Sequence, residues 1–440
     1  MVGAPSVSPL VRAPYLLLLR EMIGRSGVLV KSPESSVRAG REGVAQGGGH
    51  DIPQPAGSSR GGEPSDVLVL EAILQNGQLT RAEISRLVGI SKPTASQAIN
   101  RLTNAGLVEA FGSEESRRPG RAGILYRLSP DLGFALAAAL DRSGTVVRAI
   151  SLDGTPVVED RIGPAVDPTS TSMRLRNSVE HILHKLREKG RCLGAAVAIA
   201  NPVDPVTGEV VPLLDTPFPE GVISVREALA GLIDTPVEVD NDANFAAIAE
   251  HHLGAARFVR DFVYIFIGIG IGMGLFLNGD LVRGHRGLVG EIGYLPIAVA
   301  KHQDTLSRQL LGRNASARHF ITGAKDANDA VMTHVLQDIF AQGERGDPTA
   351  LELIHEEAVA IGQAVAAVAS VVDPELVIIG GPVGCHNLLV EQIQKIVMEL
   401  APLPIPVQAA SIRKDPSLAG AAVRALRVAK STLMHKLVGL

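Results

Sequence analysis

The stretch from Thr80 to Arg101, TRAEISRLVGISKPTASQAINR, constrains this chain more than any other. Arg81 to Leu87 has the composition of a short helix, and Gly89 supplies the strain-free turn that must follow it. Ser91 then opens a second helix. Its hydroxyl suits an N-cap, and Pro93 is tolerated in a first turn where its missing N–H costs little. Ile84, Leu87, Val88, Ile90, Ala95, Ile99 and Leu102 recur at helical spacing and are expected to pack the two helices together. The remaining face displays Lys92, Thr94, Ser96, Gln97, Asn100 and Arg101, with Thr80 and Ser91 at the helix starts. Hydroxyls, amides and cations are the groups that reach base edges and phosphates in a major groove. A polar helix face is also ordinary solvated surface, so the residues that follow must decide.

Leu107 to Phe111 reads as a strand and Gly123 to Leu128 as its return, with Arg117-Arg118-Pro119-Gly120-Arg121 at the tip. Residues 117–127 hold Arg117, Arg118, Arg121 and Arg127 and no acid. This arrangement resembles a winged helix, whose wing lies along a phosphate backbone. The alternative is a protein-docking module. Asp66 to Asn76 is the expected first helix of the unit, with Val67, Leu70, Ile73 and Leu74 inward and Gly77 as its stop. The unit is expected over 65–130. Residues 1–64, rich in Gly, Ser, Pro and Arg, offer little to offset the entropy of ordering and read as a disordered arm.

From Asp131 onward, apolar strands alternate with Ala-rich helices. The strands expected are 136–140, 146–151, 195–200, 237–239, 262–267 and 376–379, and the helices 173–189, 243–253, 327–342, 348–372 and 388–400. This is α/β architecture with largely buried sheets. Some 300 residues exceed one compact core, so two lobes with a cleft are expected over 131–430, followed by a tail over 431–440. The net charge of −4 makes the basic character local. Cys192 and Cys385 are too few and too far apart for a disulfide framework or a C-x-x-C metal site. No apolar run reaches the roughly 18–20 residues of a membrane helix. The run Tyr15 to Leu19 is short and broken by Arg20-Glu21, which argues against an export signal, so a cytoplasmic location is expected.

Three segments of the large region suggest ligand chemistry. Gly268-Ile-Gly-Ile-Gly-Met-Gly274 alternates glycine, as phosphate loops require and as tightly packed hairpins also do. Glu291 is bracketed by Gly290 and Gly293 and could reach ligand hydroxyls. Asp240-Asn241-Asp242-Ala243-Asn244 sits between a strand and a helix. One cap needs fewer than two carboxylates and two amides, and such groups at a strand's end also suit a polyhydroxylated ligand. Cap and site stand level on the residues alone.

Taken with Asp373-Pro-Glu-Leu-Val-Ile-Ile-Gly-Gly381, these motifs in this order resemble a transcriptional regulator of the ROK family over residues 66–430. The resemblance implies an actin-like, ribonuclease-H-like double lobe. It implies that Asn241, Asp242 and Glu291 hold sugar hydroxyls, with Tyr294 where the family usually has a histidine. Asp242 would be the general base in kinase members. Gly268, Gly270 and Gly272 would form a phosphate-type loop, and Gly380-Gly381 would lie near adenosine. The departures are informative. Residues 297–312 contain no cysteine, so His302 has no thiolate partners and no zinc is expected. Asp141-Arg-Ser-Gly-Thr145 puts Ser143 where kinases of this fold, with an Asp-x-Gly-Gly-Thr-like turn, keep a glycine, and Arg142 adds bulk beside it. The expectation is therefore a repressor of carbohydrate metabolism, catalytically degenerate and without cofactor. It would bind a double-stranded DNA operator as a homodimer or higher homo-oligomer, with a sugar or sugar phosphate as effector and no membrane partner. An ATP-dependent hexose kinase with a DNA-binding appendage is the alternative, and a ligand-blind DNA-binding protein a third possibility.

Overall fold

The computed structural model describes residues 64–113, 123–141, 144–163, 168–213, 223–268, 270–297 and 329–438. The chain divides into two compact units between Arg127 and Leu128.

The amino-terminal unit runs α1 (Pro64–Asn76), β1 (Gln78–Thr80), α2 (Arg81–Val88), α3 (Lys92–Asn104), β2 (Val108–Ser113) and β3 (Ile124–Leu128). The three strands form one sheet in the order β1-β3-β2, with Leu79 opposite Tyr126. Val69, Leu70, Ile73, Leu74, Ile84, Ala95, Ile99 and Leu102 are buried together, the small apolar set that three amphipathic helices must share. Two glycines stop helices as the sequence requires. Gly77 and Gly89 take left-handed backbone angles and return their N–H groups to Ile73 and Ser85. Leu87 departs from expectation and stands 53% exposed. Val88, four residues after the buried Ile84, takes the inward position instead.

The second unit contains two sheets of the same design. In the first lobe, β4 (Gly133–Asp141), β5 (Gly144–Ser151) and β6 (Pro156–Ile162) form an antiparallel meander. After α4 (Pro168–Lys185), β7 (Arg191–Ile199) pairs in parallel with β4. A short α5 (Val225–Leu229) leads to β8 (Val237–Asn241), giving the order β6-β5-β4-β7-β8. The chain then crosses over through α6 (Asp242–Leu253). The second lobe repeats the plan with β9 (Phe262–Ile267), β10 (Ile271–Leu277) and β11 (Asp280–Val282). After α7 (Asp329–Glu344) and α8 (Pro348–Val372) come β12 (Leu376–Gly380), α9 (Gly381–Gly384), α10 (Asn387–Leu400), β13 (Val407–Ala409) and α11 (Pro416–Val438). The sheet order is β11-β10-β9-β12-β13, so both lobes place their first strand at the centre and build outward identically.

Each lobe has its own apolar core. Phe134, Leu136, Val147, Leu175, Val179 and Val197 belong to the first, and Val263, Ile265, Ile267, Ile361, Val365 and Ile379 to the second. The α8 helix is long and apolar enough to cross a membrane by length and composition, but its inward residues Ile354, Ala358, Ile361 and Val365 sit in that second core. Of the two readings the alternating glycines leave open, residues 271–277 take the packed hairpin, pairing antiparallel with β9. One feature differs from the sequence reading. Residues 431–438, expected as a tail, continue α11.

Where α6 and α11 meet, glycine permits an approach that no other residue allows. A Cβ on Gly420 would coincide with the carbonyl of Phe245. Beside this crossing Glu250, buried in α6, accepts the N–H groups of Ala255 and Ile412, each at 2.7 Å. Burial raises its pKa, and these donors offset part of the cost of its charge.

Candidate functional site

On α3, Ser91 caps the helix by accepting the Thr94 N–H at 3.2 Å, and its hydroxyl lies 2.7 Å from that of Thr94. Lys92, Pro93, Gln97 and Asn100 are exposed, while Thr94 and Ser96 are half-buried. The buried Ala95, Ala98, Ile99 and Leu102 hold the opposite face.

Two expected DNA contacts are placed elsewhere. Thr80 is buried and closes a capping box on α2: its N–H and hydroxyl donate to Glu83 Oε2 at 2.8 and 2.9 Å, and Glu83 N–H donates back at 3.3 Å. Arg101 grips the buried Asp66 of α1 through Nε at 3.1 and 3.0 Å and through Nη2 at 2.8 Å, and also reaches Ser65. A guanidinium spent on a carboxylate fork ties α1 to α3 and presents no fork to a base. Arg127 of the wing is similarly engaged, 2.7 Å from Glu109 and stacked over Phe111 at 3.6 Å. Arg117, Arg118 and Arg121 lie outside the described residues.

The second candidate site is where β8 passes into α6. Asn241 is the N-cap. Its Oδ1 accepts the Ala243 N–H at 2.9 Å and its Nδ2 donates to the Asn201 carbonyl at 3.1 Å. Asp240 and Asn244 face inward and serve structure. Asp240 accepts Asn244 Nδ2 at 2.8 Å, Arg283 Nε at 2.7 Å and the Asn241 N–H at 2.8 Å. Arg283 also lies 3.7 Å from Glu238, which Arg424 of α11 grips at 2.8 and 2.9 Å. Cap and site thus overlap: Asp240, Asn241 and Asn244 build the junction, and Asp242, half-buried, shares the cap by accepting the Ala243 N–H at 2.8 Å.

Burial pushes the pKa of Asp242 up to about 7, helped by the negative charges of Asp141 and Glu291. Glu291 is likewise pushed up to about 7 by burial. Asp141 ends β4 and accepts the Gly144 N–H at 3.2 Å. Sequence reasoning placed it in a degraded phosphate loop and missed it as a third cleft carboxylate. Tyr294, in the short turn after Glu291, is 40% exposed. Among the described residues no cluster of His, Cys, Asp and Glu could hold a metal ion.

Both carboxyls hold their protons to about pH 7 in the folded chain. Unfolded, they would release them near pH 4. The folded state binds more protons across that interval, so these groups' contribution to stability falls as pH rises through it. The melting temperature is expected to drop between about pH 5 and about pH 8, with a shallower slope in Asp242→Asn and Glu291→Gln. Differential scanning fluorimetry checks this, and slopes untouched by either substitution would refute it.

The glycines separate by task. Gly268 and Gly270 flank the turn between β9 and β10, whereas Gly272 and Gly274 serve packing. A Cβ on Gly274 would stand 2.5 Å from the Ala247 Cβ, and one on Gly272 3.3 Å from the Ala243 Cβ. Gly272 is therefore reassigned from phosphate approach to helix packing. Beside the turn lies Phe266, whose ring atom Cε1 would be 2.7 Å from a Cβ on Gly268. Gly380 ends β12 over the buried Tyr264 ring, and Gly381 takes φ +85° against the Ile267 carbonyl.

The two lobes, each repeating one strand order around a crossover, and the amino-terminal helix-turn-helix with its wing define an actin-like kinase-type domain joined to a winged helix. Residues 138–428 match the ROK family and residues 62–122 the MarR family, and the chain belongs to the ROK family. It is 29% identical over 291 residues to the bifunctional enzyme NanE/NanK of Brucella melitensis, covering 64% of this chain and 52% of that protein. It thus spans about half the length of that relative. It is 25% identical over 349 residues to the xylose repressor of Caldicellulosiruptor bescii, covering 75% of this chain and 86% of that one. The crystal structure of a ROK family transcriptional regulator, a homologue of the E. coli MLC protein, superposes with a TM-score of 0.65 at 22% identity. It covers 85% of this chain and 98% of its own, a likeness of fold.

Proposed function

We propose that this chain is a sugar-responsive transcriptional regulator acting as a repressor of carbohydrate metabolism in the cytoplasm. The observation that carries this reading is the union, in one chain, of an exposed polar face on α3 with a cleft holding the carboxylates of Asp242 and Glu291. The xylose repressor among its relatives supports it. A homodimer sets two α3 helices on the half-sites of an inverted repeat about one helical turn apart. Ser91, Lys92, Thr94, Ser96 and Gln97 face the bases, while Arg117, Arg118 and Arg121 follow phosphates. In the cleft, Asp242 and Glu291 hold sugar hydroxyls beside Asn241 and Tyr294. A sugar that binds one lobe angle more tightly than the other shifts the dimer between operator-competent and incompetent states.

Footprinting across neighbouring promoters, with and without a sugar panel, tests this. The expected result is a protected inverted repeat whose occupancy one sugar changes. No protected site on any fragment would refute it. Gln97→Ala is expected to cost about 1–3 kcal/mol at one operator position, as loss of a bidentate base contact does. Equal loss on random DNA would show that Gln97 meets backbone instead.

One observation favours a second reading. A carboxyl with a pKa near 7, as Asp242 has, suits a general base taking a proton from a hexose hydroxyl. Against it, the Phe266 ring of β9 packs beside Gly268 of the expected phosphate loop, and phosphoryl transfer depends almost wholly on positioning. A coupled assay for ADP release over a hexose panel decides between them, and turnover abolished by Asp242→Asn would establish the kinase.

A further inference from the structure

The exposed stripe of α3 is chemically one-sided. Gln97 and Asn100 are both exposed, three residues apart on one face, and both end in carboxamides. Their separation along the helix axis is about 4.5 Å, close to one base-pair step of about 3.4 Å. The helix contains two cations, Lys92 and Arg101. The guanidinium of Arg101 is held at 2.8–3.1 Å by Asp66 of α1. The hydroxyls of Ser91 and Thr94 are 2.7 Å apart and partly satisfy each other. A carboxamide offers one donor and one acceptor side by side, which matches the N6/N7 edge of adenine, while a guanidinium fork matches guanine O6/N7.

Resting on the reading of α3 as the operator-reading helix, we propose that Gln97 and Asn100 read two adenines at neighbouring base pairs of each half-site, and that Arg101 makes no base contact. This adds Asn100 to the base-reading residues and makes the core of the half-site A·T.

The full-length chain is incubated with a random-sequence duplex pool, and bound sequences are enriched and read. The expected half-site has two A·T pairs within one or two steps of each other. Gln97→Ala removes the preference at one and Asn100→Ala at the other, each by about tenfold or more. An adenine analogue lacking N7 at either position weakens the wild-type chain and leaves the matching alanine variant unaffected. Both side chains are exposed, so alanine leaves the fold intact, and retained binding to random DNA confirms it in each variant. A core selecting G·C under these residues overturns the inference while leaving the regulator reading standing. So does an analogue without effect, or a preference that shifts in the double variant Arg101→Met with Asp66→Asn, which removes both partners of the ion pair. A pool yielding no enriched sequence overturns the regulator reading and this inference with it.

Discussion

Arg101→Ala is expected to loosen the amino-terminal unit by about 2–4 kcal/mol, the range for removing one partner of an ion pair whose other partner is buried, reduced because the arginine is partly solvated. The Asp66 side chain is 8% exposed and that of Arg101 38%. The alanine variant leaves the buried carboxylate without its fork, an uncompensated polar group. Arg101→Met with Asp66→Asn removes both charges and should recover most of the loss. Hydrogen exchange in the full chain reads this directly: amides of α1 and α3 should lose protection together in the single variant and regain it in the double. Unchanged protection after Arg101→Ala would show that the pair contributes nothing.

Arg283→Met is expected to have a comparable effect on the cleft, about 3–5 kcal/mol. Asp240 is 3% exposed in its side chain, and Arg283 is the cation 2.7 Å from it. The N–H of Asn241 and the amide of Asn244 would remain as donors but bring no charge. Beyond stability, the junction that presents Asp242 would loosen, because Asp240 fixes the backbone on which Asn241 caps α6. Thermal unfolding of the wild type and of Arg283→Met and Arg283→Lys tests this. Lysine keeps the charge but loses the reach to Glu238, so it should recover part of the stability. A methionine variant melting with the wild type would exclude Arg283 as the partner that Asp240 depends on.

Much of the fold could be read from local pattern. Strands such as 262–267 are continuous apolar runs because both faces of their sheets are covered, and α2 and α3 announce themselves through Gly89, Ser91 and Pro93. β10 is ambiguous in the sequence because alternating glycines suit a loop as well as a packed hairpin. They are there to let α6 lie against the strand, a fact recorded only in three dimensions. α11 is Ala-rich and buried along much of its length, so it offers weak amphipathic contrast.

At the sites, residue types could be read but their allegiance could not. Thr80 is followed three residues later by Glu83, a capping-box pattern available in the sequence, yet it was assigned to DNA. Arg101 finds Asp66 from 35 residues away, and Arg283 finds Asp240 from 43. No spacing rule anticipates such long-range pairing, and it decides which polar groups remain for a ligand.

The bare crossing of α6 and α11 at Gly420 makes the cleft unusually sensitive to a very small wedge. Main chain meets main chain there, so one added methyl group would pry the helices apart and shift α6, whose first residue is Asp242. Evolution or an engineer could reset this protein's resting aperture from a site that touches neither sugar nor duplex.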